Sequence, residues 1–424
     1  MYMSRKKWGF LILFVSVVNL VFAQLDPAQQ VNHNTRNNEK QKDKPYVILI
    51  SVDGFRYDYA EKYQAQHILD LSKQGVRAAS LIPGYPSVTF PNHYSIVTGL
   101  YPAHHGIVSN HFYDKRSGSY YAMWDKETVL DGSWYGGTPL WVLAEQQEML
   151  AANLMWVGSE ADIQGRKASY YYPFNDEMPV LDRIQAVKSW LSLPEDRRPH
   201  LMSFYLSDVD HAGHRYGPDA PETRVAVQRV DSIINALTEE VQATGLPINF
   251  ILVGDHGMTA VDQENPIPLP ASLDTSQFKV VSSGTQVELH AKQARDIKAQ
   301  YVLLKEEAKN KDYDVLLKTE MPAYLHYGIS DDYMDRIGDI LLLPHWPKVF
   351  AEKRPGAGYH GFNPIKVHDM HSIFYAWGPA FKSSVQLPSF ENVHVYPLIA
   401  EILGLEISQA IDGDADVLLP VLRK

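Results

Sequence analysis

The sequence of 424 residues contains no cysteine. That absence excludes disulfides, thiolate zinc ligation, a cysteine nucleophile and a lipidated cysteine. A chain of this length can bury enough apolar surface to fold without covalent staples. Positive charge is also scarce: 39 lysines and arginines face 50 aspartates and glutamates, for a formal net charge of −11. Such a balance argues against nucleic-acid binding through a basic surface. A membrane span is equally unsupported, because the apolar run from Trp8 to Phe22 is shorter than the ~20 residues a bilayer requires. No internal repeat at solenoid spacing is present either.

The start of the chain does carry an export pattern. Arg5, Lys6 and Lys7 form a basic beginning, the apolar run follows, and Val21-Phe22-Ala23 offers small residues before Gln24. We therefore expect residues 1–23 to be a signal peptide and the product to be exported, periplasmic or secreted, with no stable membrane insertion of the mature chain. An uncleaved anchor is the alternative. Residues 24–44 are rich in Asn, Gln and Lys and nearly devoid of large apolar side chains, which predicts a disordered linker. A folded domain is then expected over 45–424.

Within that domain, strand and helix patterns alternate. Apolar strands are expected at Tyr46–Val52, His200–Leu206 and Ile248–Val253, and helices near His67–Gln74, after Thr89, and at Pro139–Gln147, Val180–Leu191, Pro221–Ala243 and Val395–Leu403. Such alternation implies an α/β fold with a mostly parallel sheet and helices on both faces. The rhythm breaks over roughly 265–354, read as a smaller inserted lobe with a helix near Lys292–Lys309 and short strands such as Ala323–Tyr327 and Ile340–Leu343.

Each of the three apolar strands runs into an acid. Asp53 follows the first, Asp208 and Asp210 the second, and Asp255 with His256 the third. Ligands of open α/β sheets bind beyond the carboxyl ends of the strands, so these acids should converge. Carboxylates beside imidazoles suit zinc or a similar divalent ion. In the second segment two registers compete, Asp208 with His211 and Asp210 with His214. Gly213 favours the latter by letting a tight loop turn just before His214. Thr89 precedes an expected helix whose second residue is proline, where its hydroxyl is either a plain N-cap or a nucleophile at a positive helix end. His360 lies between glycines. Most of the 17 histidines, including His93, His104, His105, His368 and His371, read as structural or surface groups.

These motifs, taken in order, resemble the nucleotide pyrophosphatase/phosphodiesterase family of the alkaline phosphatase superfamily. The resemblance rests on Asp53-Gly54-Phe55-Arg56, the block PGYPSVTFPNHYSIVTGLYPAHHGIVSN from Pro83 to Asn110, Asp210-x-x-Gly213-His214, Gly254-Asp255-His256-Gly257-Met258 and Gly358-Tyr359-His360-Gly361. WYGGTPLWVLAE from Trp134 to Glu145 and NVHVYPLIAEILGL from Asn392 to Leu405 extend it. It implies an alkaline-phosphatase-like core and two Zn2+ ions, one held by Asp53, Thr89, Asp255 and His256, the other by Asp210, His214 and His360. By the same resemblance Thr89 attacks phosphorus to form a phosphothreonine ester, which water then hydrolyses. Asn110 donates to a phosphate oxygen, and Phe90 and Tyr205 sandwich a nucleobase. Thr89-Phe90-Pro91-Asn92 lacks the arginine of the family's monoesterase relatives, and the Cys or Ser of sulfatases is missing, so diester cleavage is favoured. The implied substrate is a small-molecule nucleotide diester or phosphoanhydride, released as a nucleoside 5′-monophosphate; no oligomeric state is implied. A phosphocholine-type phospholipid diesterase and a catalytically silent binding protein are the rival readings.

Overall fold

The computed structural model describes residues 29–423. The expected signal peptide lies outside them, as do residues 24–28. Among the described residues no helix is long and apolar enough to cross a membrane.

A nine-stranded sheet organises the chain, in the order Gln30–Val31, Tyr170–Tyr172, Ala151–Leu154, Leu201–Leu206, Tyr46–Val52, Ile248–Val253, Phe374–Trp377, Val76–Ala78, Val385–Leu387. The strands from Tyr170–Tyr172 to Ile248–Val253 pair in parallel, and Phe374–Trp377 runs antiparallel to both its neighbours. Strand Tyr46–Val52 is apolar at six of seven positions because it is covered on both sides. Val47 and Leu49 join a hydrophobic layer with helices Thr89–Thr98, Leu140–Gln146 and Val395–Leu403. Ile48, Ile50 and Val52 join the opposite layer, with helices Gln66–Gln74, Val180–Leu191 and Pro221–Gln242.

Register decides where the site forms. Val52 lies opposite Leu206, and Ser51 opposite Val253. All three central strands therefore end at one level, and the residues that follow them share one edge.

The interrupted stretch forms its own antiparallel sheet, ordered Phe278–Ser282, Val287–Ala291, Ile340–Pro344, Tyr313–Leu317, with helix Ile297–Glu307 packed against it. The helix is shorter than expected because its first turn is a separate 3-10 segment, Ala294–Asp296. The expected strand at Ala323–Tyr327 is instead a 3-10 turn, Ala323–Leu325. Pro322 precedes it and left-handed His326 (φ 48°) ends it, so the chain cannot stay extended.

The expected disordered linker needs a larger correction. Gln30–Val31 pairs with Tyr170–Tyr171, and Asn37 is only 5% exposed. Asn37 Nδ2 donates to the carbonyls of Glu195 and Arg198 while its Oδ1 accepts from Leu150 N–H. Asparagines that composition reads as solvated instead satisfy loop backbone groups.

His104 ties this architecture together from the other side. Its Nδ1 lies 2.7 Å from Asp412 Oδ2 and its Nε2 3.3 Å from Asp331 Oδ1, so one ring joins a helix of the core, the C-terminal segment and the 328–336 loop. Burial pulls its pKa down, but the two carboxylates outweigh burial and raise it. A group whose folded pKa exceeds its unfolded value of ~6.5 stabilises fully below that pH, and the contribution is lost as pH rises through the folded pKa. In thermal melts, His104→Gln should therefore cost most at pH 6 and progressively less toward pH 9. A pH-independent difference would show that the ion pairs contribute nothing.

Candidate active site

Asp53 directly follows its strand and Asp255-His256 follow theirs after Gly254, whereas Asp210 and His214 sit on helix Asp208–Tyr216 rather than in the expected tight loop. Four residues of helical spacing put both side chains on one face. Gly213 serves close packing instead of a turn: a Cβ there would come within 2.9 Å of Met258 Cε. The competing register points elsewhere, with Asp208 paired to Arg229 at 3.3 Å and His211 exposed near Asp176.

Two donor triads result, Asp53/Asp255/His256 and Asp210/His214/His360, each with its ligand atoms within 4.8 Å of one another. The imidazoles of His256 and His360 stack at 3.6 Å between ring centroids and so join the two groups. Every one of the three histidines gives Nδ1–H to a backbone carbonyl: His214 to Gly358 (2.9 Å), His256 to Gly257 (2.9 Å) and His360 to Ser87 (3.0 Å). That arrangement leaves each Nε2 as a bare lone pair.

The lone pairs face one another. His214 Nε2 and His360 Nε2 stand 2.9 Å apart, with Asp210 Oδ1 at 3.4 and 3.6 Å from them. His256 Nε2 lies 3.1 Å from Asp255 Oδ2 and 3.4 Å from Asp53 Oδ1. Those three carboxylate oxygens are buried without any hydrogen-bond donor. Burial, reinforced by its acidic neighbours, holds Asp53 well above the ordinary carboxylate range, and burial pushes His256 and His360 well down. Uncompensated negative charge and converging lone pairs fit divalent cations, and the N/O donor set suits zinc.

Thr89 lies beside the first triad. It is the first residue of helix Thr89–Thr98, one position inside the N-cap, which is extended Val88. The plain N-cap reading is thereby excluded. Its Oγ1 sits 3.2 Å from His256 Nε2. Asn110 Oδ1 accepts from Phe90 N–H at 2.8 Å, which fixes the amide next to Thr89 and leaves its NH2 as the outward donor.

A cleft of about 190 Å³ opens from Thr89, Asp53 and Asp210 between Phe90, Phe174, Met123 and Tyr205. Here the structure corrects the role expected of Tyr205. The ring is 8% exposed and its hydroxyl donates to Asp53 Oδ2 at 2.6 Å, so it orients a carboxylate and offers little face for stacking. Phe174, 57% exposed in the same cleft, is the aromatic that sequence reasoning missed. Its signal was its place just beyond the strand Tyr170–Tyr172. His93 was also undervalued: fully buried, it sets Nδ1 at 3.0 Å from Thr89 O and 3.2 Å from Asp255 Oδ2, and Nε2 at 2.8 Å from Ser51 Oγ. Its helical spacing from Thr89 was the available clue.

The model of the family "Type I phosphodiesterase / nucleotide pyrophosphatase" matches residues 47–371. This chain belongs to that family. Mouse ectonucleotide pyrophosphatase/phosphodiesterase family member 1 is 34% identical over 383 residues, spanning 86% of this chain but 41% of that protein. An uncharacterised pyrophosphatase/phosphodiesterase of Schizosaccharomyces pombe is 31% identical over 436 residues, 98% of this chain and 87% of that protein. The fold is shared with murine ectonucleotide pyrophosphatase/phosphodiesterase 5, at a TM-score of 0.83, 25% identity, and coverage of 90% of this chain and 100% of that one. That structure is of an inactive threonine-to-alanine variant in complex with AMP. The present chain thus spans less than half the length of the mouse relative and nearly all of the fungal one.

Proposed function

We propose that this member of the family is a metal-dependent phosphodiesterase and pyrophosphatase that cleaves nucleotide diester or phosphoanhydride bonds to nucleoside 5′-monophosphates. The observation that carries this reading is the Thr89 hydroxyl, set at a helix N-terminus beside the first of two cation-seeking triads and at the mouth of an aromatic cleft. Asp53, Thr89, Asp255 and His256 would hold one zinc ion, and Asp210, His214 and His360 a second. When bound, two such ions neutralise the carboxylates, lower the pKa of a coordinated hydroxyl and stabilise attacking and leaving oxygens of an in-line displacement.

The chain's own residues do the rest. Thr89 Oγ loses its proton and bonds to phosphorus as the bond to the leaving oxygen breaks, and that oxygen takes up a proton. Water then replaces Oγ at phosphorus, regenerating the threonine and releasing the monophosphate. Asn110 NH2 and the Thr89 backbone N–H stabilise the non-bridging oxygens, an effect of about 3 kcal/mol per well-placed donor. Phe90 and Phe174 receive the nucleobase, with Tyr205 keeping Asp53 in place. AMP bound to the murine relative supports this assignment. The basic and apolar start at residues 5–23 supports action after export, in the periplasm or outside the cell.

Turnover of p-nitrophenyl esters of thymidine 5′-monophosphate, phosphorylcholine and plain phosphate by the zinc-loaded protein tests the reading. The nucleotide ester should dominate, and Phe174→Ala should raise its KM roughly tenfold, the loss of one stacking face worth ~1–3 kcal/mol, without affecting the phosphorylcholine ester. Dominance of phosphorylcholine would place the protein among lipid diesterases. No turnover, with no zinc retained, would leave a binding protein.

A further inference from the structure

Glu288 of the inserted lobe is 2% exposed, and its only ionic neighbour among the described residues is His290, 3.5 Å away. A lone buried carboxylate is costly unless neutral donors satisfy it. Here they do: Gln286 Nε2 (2.6 Å) and Tyr327 OH (2.8 Å) approach Oε1, and Gly338 N–H donates to Oε2 at 2.9 Å. Such a network, in which the single Tyr327 proton serves either Glu288 Oε1 or Val108 O, fixes geometry even where it adds little stability.

What it fixes are three segments of the site. Gln286 Oε1 accepts from Tyr85 OH at 2.8 Å, four residues before Thr89. Tyr327 Oη also lies 3.0 Å from Val108 O, two residues before Asn110. Thr285 fills the space beside Gly361, where a Cβ would fall 2.2 Å from Thr285 Oγ1. The loop so held, through Ser87, then aims His360. Ser87 O accepts from His360 Nδ1, while Ser87 Oγ donates to Phe362 O (2.7 Å) and accepts from Gly361 N–H (3.1 Å).

We infer that Glu288, with Gln286 and Tyr327, is a positioning residue through which the inserted lobe sets His360 and Thr89 in one register, making the lobe a structural part of the second metal triad. The inference rests on the two-ion reading proposed above. None of the lobe residues in this network lines the cleft.

The test measures zinc stoichiometry and affinity of the full chain, by competition with a chromophoric chelator, for wild type, Glu288→Gln and Tyr85→Phe. Gln at 288 keeps the shape but turns an acceptor oxygen into a donor amide. Wild type should bind two ions. Each variant should bind one with unchanged affinity and the other more weakly, by roughly 10–100-fold for Glu288→Gln, as losses of residues that orient metal ligands commonly do, and by less for Tyr85→Phe. On the nucleotide ester kcat should fall at constant KM, and excess zinc should restore much of it, which a simply unstable variant would not show. Two ions held with wild-type affinity in both variants overturn the inference while leaving the two-ion reading intact. Failure of wild type to bind a second ion overturns both. Should Glu288→Gln not fold, Tyr85→Phe decides, since it deletes one hydroxyl.

Discussion

Thr89→Ala is expected to lower kcat on a nucleotide ester by roughly 10³–10⁶-fold, the range in which loss of a covalent nucleophile falls. The melting temperature should barely move. Thr89 is not the N-cap of its helix, and among the described residues His256 is the one hydrogen-bond partner of its Oγ1, so the folded state depends little on it. Zinc should still bind, because two carboxylates and an imidazole remain in the first triad and the second triad is untouched. Rapid-quench experiments with a substrate carrying labelled phosphorus should trap a protein-bound phosphate in wild type and none in the variant. Full activity of Thr89→Ala with zinc bound would mean that water attacks directly and that no phosphothreonine forms.

The second large effect is expected on removing the metal. Exhaustive chelation should abolish turnover and lower the melting temperature by roughly 5–15 °C, since each ion present at a thousandfold excess over its Kd contributes about 4 kcal/mol to a chain of this size. The stripped protein would be left with Asp53 Oδ1, Asp210 Oδ1 and Asp255 Oδ2 buried and undonated, and with the Nε2 lone pairs of His214 and His360 facing each other at 2.9 Å. Both losses should reverse with added zinc, whereas calcium, which prefers six to eight oxygen ligands, should restore neither. A melting temperature indifferent to chelation would show that the two triads are held by protons or by side-chain packing alone.

Much of this protein can be read along the chain. The run Tyr46–Val52 is apolar at successive positions because both faces of a central parallel strand are covered, and that local signal survives without any knowledge of its neighbours. The same holds for the helices Val180–Leu191 and Val395–Leu403, whose apolar spacing and end residues mark their bounds. Acids within a few residues of strand ends are equally local, which is why Asp53, Asp210, Asp255, His256 and the glycine-flanked His360 stand out as a set. Parallel register brings the first four to one edge, whereas His360 arrives from outside the main sheet, just after the short strand Gly358–Tyr359.

Other features are written in no local pattern. Composition makes Asn37 a solvated residue, but the loops at Leu150 and Glu195–Arg198 make it a buried one. A tight loop and a helix can both bring Asp210 to His214; the packing of Met258 against Gly213 belongs to the helix. Tyr205 and Phe174 are both aromatic residues near strand ends, and only the hydrogen bond to Asp53 separates a carboxylate brace from an open stacking face. By itself, then, the sequence determined the elements, the family motifs and the acids gathered at one sheet edge, because strand hydrophobicity and helical spacing are properties of neighbouring residues. The tertiary structure alone decided which lone pairs face which, which hydroxyl is free and which lobe residues brace the site, because hydrogen bonds such as Tyr85 to Gln286 join positions about two hundred residues apart.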